Sequence, residues 1–278
     1  MRVLVTGADG YIGRHAVTAL LRKGASVAAV DMHTNRIPAK ADTYQADIFD
    51  GSVDLYRLTG EPDAVLHLAW QDGFVHPSPA HIDNLPNHFS FCRRMVESGI
   101  KTLAVMGTVH EIGYHVGEVD ENTPCSPQSL YGIAKNALRQ ALFASLNDKV
   151  NLMWLRAFYV YGDDEASHSV FSKLSESAGR DEKFFPINSG KGKSDFLPVS
   201  VLAEQLAACV LQNKVGGIIH CCSGKPMPLA EKLNEYINEH GLDIRLKYNV
   251  FPERSYDSPA LWGNTCKIKE IMRGTAEQ

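Results

Sequence analysis

Two segments of this chain carry residue types spaced for chemistry. In Tyr131-Gly132-Ile133-Ala134-Lys135, a phenol and an ammonium stand at i and i+4 of a predicted helix, so both side chains share one face. A tyrosine alone titrates near pH 10, and a neighbouring lysine cation favours the phenolate. The expectation is a phenol lowered by Lys135 and able to exchange a proton with a substrate hydroxyl or carbonyl. Near the N-terminus, Thr6-Gly7-Ala8-Asp9-Gly10-Tyr11-Ile12-Gly13 lies between a predicted strand and a predicted helix. Gly7 permits the tight turn, Gly10 lets the backbone approach a pyrophosphate, and Gly13 lets helix pack on strand. Tyr11 and Ile12 belong to the same turn, and the helix start offers N–H groups and a positive dipole end to phosphates. The segment predicts a dinucleotide site.

Asp31 lies 18 residues beyond Gly13. A carboxylate there accepts both ribose hydroxyls of an adenosine and repels a 2′-phosphate, which favours NAD over NADP. Arg36 is close enough in sequence to soften that preference, and Asp47 and Ile48 are placed to meet the adenine edge.

These residues need a scaffold, and the apolar runs supply one. Val3–Val5, Ser26–Val30, Ala64–Leu68, Thr102–Met106 and Asn151–Leu155 read as strands, alternating with helices over Ile12–Lys23, Asn84–Ser98 and Leu130–Leu146. Continuous apolar strands alternating with helices predict an α/β fold, its parallel sheet covered on both faces. After Arg156 the pattern loosens, and 163–198 shows little period. A helix over Val199–Gln212 and a strand over Gly217–Cys222 return to the sheet. The expected division is a cofactor domain over 1–157 with a return segment at 199–222, and a small cap from the remaining parts of 158–278.

Composition narrows the function classes. The chain has 278 residues and a formal net charge of −4, which leaves no broad basic footprint for nucleic acid. No apolar run approaches the roughly 20 residues that span a bilayer. Thr6, Asp9 and Arg14 interrupt any apolar leader, so no membrane association and a cytoplasmic location are expected. The six cysteines form no Cys-x-x-Cys pair and no ladder with histidine, so no metal site is expected.

Taken together, the motifs resemble those of the extended short-chain dehydrogenases/reductases, in the NAD-dependent epimerase/dehydratase family. The likeness runs through Thr6–Gly13, Asp31, Asp47-Ile48, His67-Leu68-Ala69, Asn84, Thr108, Tyr131 with Lys135, and Ser194–Pro198. It implies a doubly wound Rossmann sheet with a small C-terminal substrate-binding domain. It also implies hydride transfer between NAD and a carbon of a nucleotide-linked sugar. The family's catalytic Ser/Thr falls on Thr108, whose hydroxyl would orient the reacting oxygen, while Lys135 would also hold the nicotinamide ribose. Leu68, Ala69 and Trp70 fall on the nicotinamide side. The resemblance further implies a homodimer formed by the helices around Asn84–Ser98 and Leu130–Leu146, with Phe89, Phe91, Met95, Leu138, Leu142 and Leu146 as apolar surface.

The departures are informative. The Asp-Glu pair by which relatives eliminate water is replaced by Val109 and His110, so dehydration is not expected. His110 becomes a candidate acid/base or substrate contact, because an ordinary imidazole titrates near neutrality. Trp70 stands where an alanine is usual, and would narrow the pocket, stack on a ring or pack in the core. Tyr159 replaces a phosphate-binding asparagine and Ser194 an arginine, leaving Arg254 as the expected grip on the diphosphate. Three functions stay open: an oxidoreductase acting at C4 of a nucleotide-linked deoxysugar, a 4-epimerase that retains its NAD, and a non-catalytic NAD-binding regulator.

Overall fold

The computed structural model describes residues 1–162, 169–253 and 258–276. The first elements are β1 (Arg2–Thr6), α1 (Gly13–Arg22), β2 (Ser26–Asp31), β3 (Asp42–Gln45), α2 (Leu55–Leu58), β4 (Ala64–His67), α3 (Ala80–Asp83), α4 (Leu85–Ser98) and β5 (Thr102–Thr108). A 3-10 turn over Val109–Glu111 leads to β6 (Gly117–Val119), α5 (Leu130–Leu146), β7 (Asn151–Ala157) and β8 (Tyr159–Tyr161). Then come α6 (Val170–Gly179), β9 (Phe184–Pro186), β10 (Lys193–Pro198), α7 (Val199–Val210) and β11 (Gly217–Cys221). The chain ends with β12 (Pro226–Pro228), α8 (Leu229–Glu239), β13 (Arg245–Lys247), β14 (Ala260–Gly263) and α9 (Cys266–Ala276).

Seven strands pair in the order β3-β2-β1-β4-β5-β7-β11, every pairing parallel. Their apolar runs do not alternate because both faces are covered. On one face α1, α7 and α9 bury Val17, Leu20, Leu202, Leu206 and Ile268 against Val3, Val5 and Leu155. On the other, α4 and α5 bury Phe91, Met95, Leu138 and Leu142 against Leu4, Leu103 and Trp154. The chain runs outward from β1 to β3 and then returns to β4 on the other side. That reversal opens a crevice at the carboxyl ends of β1 and β4, where Thr6, Asp31, His67 and Thr108 all end their strands.

The burial on the second face corrects one expectation. Phe91, Met95, Leu138, Leu142 and Leu146 are buried within their own chain, so they are not a surface for a second copy. Of the expected set, Phe89 alone stays partly exposed.

A second sheet has the order β12-β10-β14-β6, with β8 joined to β10. The irregular stretch of the sequence thus contains α6, β9 and β10, whose short strands are too brief to show a period. A separate core of Phe171, Leu174, Phe185, Leu233 and Tyr236 lies beneath α6 and α8. The fully buried Asp195 holds the two layers in register. Its carboxylate accepts N–H groups of Ser223 and Gly224 at 2.8 Å each and of Gly263 at 3.2 Å. Among the described residues no helix is long and apolar enough to cross a membrane.

Packing behind β5 is tight at Gly107, where a Cβ would stand 2.1 Å from Trp154 Nε1. Gly107→Ala is expected to lower stability by ~1–3 kcal/mol, the usual cost of overpacking. Gly179→Ala, in open space on α6, is expected to be neutral or stabilising. Urea midpoints for the two variants check this pair, and an unchanged midpoint for Gly107→Ala contradicts the packing.

Candidate active site

The start of α5 is fixed by Ser129, whose hydroxyl accepts the Gly132 N–H at 3.2 Å. The cap places Tyr131 in the first turn and Lys135 one turn later, above the end of β5. The Thr108 side chain faces the Tyr131 phenol and favours its ionised form. Lys135 is buried, and its Nζ donates to Met106 O at 2.8 Å. The same ammonium lies 3.7 Å from the centre of the Trp70 ring but 6.0 Å from that of Tyr131. Trp70 in turn stacks on His88, with centroids 4.3 Å apart, and donates from Nε1 to His81 Nδ1 at 3.0 Å. So the indole packs on protein groups and serves as a platform for Lys135.

This geometry reverses the electrostatics expected for the pair. Burial pushes the Tyr131 phenol up to about 12, against the opposing influence of Thr108, and the Glu111 carboxylate adds to the rise. Burial likewise pushes Lys135 down to about 7, while Glu111 and Cys92 pull it back up. Lys135 does not lower the phenol, because its Nζ turns toward a carbonyl and an indole face.

His110 joins the same cluster of rings. It lies 4.4 Å from His76, 6.1 Å from Tyr131 and 6.2 Å from Tyr159, centroid to centroid. Burial and then the neighbouring His76 push it down to about 4, so it is a neutral imidazole at neutral pH and not a group poised to titrate there. Tyr159 brings β8 of the second sheet into the site and packs 5.9 Å from Phe196. Arg254 lies outside the described residues.

The cofactor end has the shape a dinucleotide needs. Gly7 has φ +69°, and a Cβ on it would stand 2.6 Å from Ala69 N. Gly13 leaves still less room, with Gly7 O at 2.0 Å from its absent Cβ. Gly10 N–H donates to Gly7 O at 3.1 Å and closes the turn ahead of Ile12, which precedes α1. Tyr11 Oη donates to Gly162 O at 2.7 Å, tying the turn to the second sheet. The Asp31 carboxylate accepts the Asp9 N–H at 3.0 Å and sits at the end of β2 beside the turn. Arg36 is engaged by Asp9, with Nε 3.2 Å from Oδ2, so its cation is already paired next to Asp31. Leu68 and Ala69 are tied to Thr6 by N–H bonds of 3.2 and 3.3 Å. Asp47 is exposed and accepts the Phe49 N–H at 2.9 Å, while Ile48 turns into the core. The narrow glycine turn, the helix start and the strand-end carboxylate fit NAD.

Several groups here escape a motif search. His76 stacks on Tyr131, with centroids 5.1 Å apart and planes at 13°, and its carbonyl accepts the Tyr131 N–H at 3.1 Å. His81 packs 5.2 Å from the same ring. His67 joins Thr6 Oγ1 at 2.7 Å to His88 Nδ1 at 2.9 Å, and burial pushes both imidazoles down, His67 to about 3. These histidines have no ligand spacing and gather only when the segment after β4 folds over α5. Glu111 did leave a signal, since Thr108-Val109-His110-Glu111 has the spacing of a capping box.

A Rossmann sheet whose carboxyl edge holds a Thr-Tyr-Lys set beside a glycine turn defines a short-chain dehydrogenase/reductase. The chain belongs to the NAD dependent epimerase/dehydratase family, whose model matches residues 3–222. It is 45% identical over 273 residues to the dTDP-6-deoxy-L-talose 4-dehydrogenase (NAD(+)) of Aggregatibacter actinomycetemcomitans, covering 95% of this chain and 99% of that protein. It is 24% identical over 302 residues to the UDP-glucose 4-epimerase of Lactobacillus helveticus, covering 98% of this chain and 91% of that one. Among solved structures, MoeE5 in complex with UDP-glucuronic acid and NAD superposes with a TM-score of 0.82 at 25% identity, covering 98% of this chain and 93% of that one.

The buried lysine has a thermodynamic signature. With Lys135 at about 7 in the folded chain and an ordinary value unfolded, the unfolded state binds the extra proton between those values. The cost of burying the cation is therefore full below about pH 7 and fades toward pH 10. Lys135→Met is expected to stabilise the protein, measured without added NAD, by on the order of a few kcal/mol at pH 6, with the gain shrinking as pH rises. Denaturant melts across that range check it, and a pH-independent difference contradicts the buried cation.

Proposed function

We propose that this enzyme oxidises the 4-hydroxyl of a nucleotide-linked 6-deoxysugar with NAD, or reduces the matching 4-ketone in reverse. The observation that carries this reading is the placing of Tyr131 and Lys135 in the first turns of α5, over the end of β5 with Thr108 and beside the glycine turn. End-to-end likeness to a sugar-nucleotide 4-dehydrogenase supports the choice of C4 and of a dTDP-linked sugar.

The division of labour follows from the geometry. The Thr108 hydroxyl and the Tyr131 phenol are the two groups proposed to hold the substrate oxygen. The neutral phenol of Tyr131 donates its proton to the ketone oxygen during reduction, and the phenolate so formed takes it back from the hydroxyl in the oxidation direction. Lys135, anchored by Met106 O and Trp70, would hold the ribose next to the reacting carbon. Bound NAD supplies the carbon that accepts or returns the hydride. Asp31 serves the adenosine ribose, with Asp47 at its adenine side. The neutral rings of His76 and His110 wall the sugar side together with Tyr159, and Arg254 is the proposed diphosphate contact.

The retained-NAD 4-epimerase is the second reading, supported by the likeness to UDP-glucose 4-epimerases. A non-catalytic regulator needs no Thr108, Tyr131 and Lys135 set, and that set disfavours it. A cytoplasmic homodimer stays part of the proposal. Sedimentation of the full chain tests the dimer, and a monomer at micromolar concentration contradicts it.

With dTDP-6-deoxy-L-talose and NAD, net formation of NADH is expected, and Tyr131→Phe should slow it by ~10²–10⁴-fold. Turnover without net NADH points to epimerisation, and an unimpaired Tyr131→Phe sinks the mechanism. His110→Ala should lower kcat/KM by about tenfold through loss of a proposed hydrogen bond from its ring to the substrate. The wild-type profile should show no inflection from His110 between about pH 5 and 8. Full turnover by both His110→Ala and His110→Gln removes His110 from the site's chemistry.

A further inference from the structure

One side chain behind the site joins every element that carries the catalytic set. Glu111 ends the 3-10 turn after β5 and is fully buried. Its Oε1 accepts the Thr108 N–H at 2.7 Å, and the Thr108 hydroxyl accepts N–H groups of the turn in return. From β7, Trp154 Nε1 donates to both carboxylate oxygens at 2.9 and 3.0 Å, and Arg156 Nη2 donates to Oε2 at 3.1 Å. From α5, Arg139 Nε approaches Oε2 at 3.7 Å, one turn beyond Lys135. A single carboxylate therefore meets the residue that faces the phenol, the neighbouring strand, and the helix that bears Tyr131 and Lys135.

Stability alone is a poor reason for such a group. A buried ion pair is often matched or bettered by apolar residues of similar volume, because desolvating the charges is expensive. Here the network is also incomplete, since Arg139 Nε and Arg156 Nε have no hydrogen-bond partner.

We infer that Glu111 is a positioning residue, which fixes Thr108 and the end of β5 against the helix that bears Tyr131 and Lys135, from behind the site. It acts through Thr108 and through its field, and it touches no reacting atom. The inference rests on the reading of Tyr131 and Lys135 as the catalytic pair. The groups facing that pair are His67 on β4, Cys92 and His88 on α4, His76 and His81 on the segment before α4, and His110 beside Glu111. Arg139 and Arg156 face the carboxylate itself. Among the described residues facing the pair, only Glu111 supplies a carboxylate.

The test follows the Lys135 titration near neutrality in the full chain, through the ¹³Cε resonance that Lys135→Met removes. Glu111→Gln keeps the shape, deletes the anion and leaves two guanidinium charges unbalanced, so Lys135 should titrate about one pH unit lower. Arg139→Gln deletes a cation from the same cluster, so Lys135 should titrate higher. Opposite displacements are the expected result; no movement in either variant, or movement in one direction for both, overturns the inference. If Glu111→Gln does not fold, Arg139→Gln decides alone, because the Trp154 and Arg156 bonds to Glu111 survive in it. In turnover, Glu111→Gln should lose kcat by roughly tenfold with the KM for NAD nearly unchanged. The Lys135 titration needs no substrate, so full turnover by Tyr131→Phe would defeat the functional reading while leaving the Glu111 result legible.

Discussion

The burial of Lys135 beneath a partly covered Tyr131 is the constraint on which the rest of the site turns. A phenol and an ammonium placed one helical turn apart in water would support each other's charge. Enclosed between α5, the end of β5 and the indole of Trp70, each is driven toward its neutral form instead. The surrounding imidazoles follow the same rule: His67, His76, His88 and His110 all lie below the ordinary histidine range. The resting cavity is thus a nearly neutral lining of rings and hydroxyls. Charge that develops on a substrate oxygen then meets oriented groups and little competing water.

That enclosure depends on the sheet. Parallel strands that end together bring Thr6, Asp31, His67 and Thr108 to one edge, and the reversal between β1 and β4 opens the crevice there. The glycine turn folds back so closely that Ala69 N and Gly7 O occupy the places of missing side chains. Behind β5, the carboxylate of Glu111 and the ring of Trp154 hold the strand end rigid. The second sheet completes the wall through Tyr159, and Asp195 ties it to the first.

Much of this was legible in the sequence, because the signals are local. The main strands and α5 were marked by apolar runs and helical spacing, and the glycine turn with Asp31 marked the cofactor end. Tyr131 and Lys135 stand one turn apart at the start of α5, over the strand that Thr108 ends. What stayed hidden depends on tertiary placement. No spacing shows that Lys135 turns to Met106 O and Trp70, or that burial outweighs its charge at Tyr131. The histidines at 76, 81 and 88 have no shared period and converge only through the fold. The core-facing side of α4 and α5 read equally well as a dimer surface, since periodicity gives a stripe but not what covers it.

In the proposed reaction hydride leaves C4 of the sugar for the nicotinamide while Tyr131 handles the proton. The most direct measurement uses a dTDP-6-deoxysugar carrying deuterium at C4, with mass analysis of cofactor and sugar after turnover. The account predicts one deuterium on the nicotinamide ring of NADH for each 4-keto sugar formed. Deuterium that remains in the sugar after turnover, or is lost to water, would contradict it.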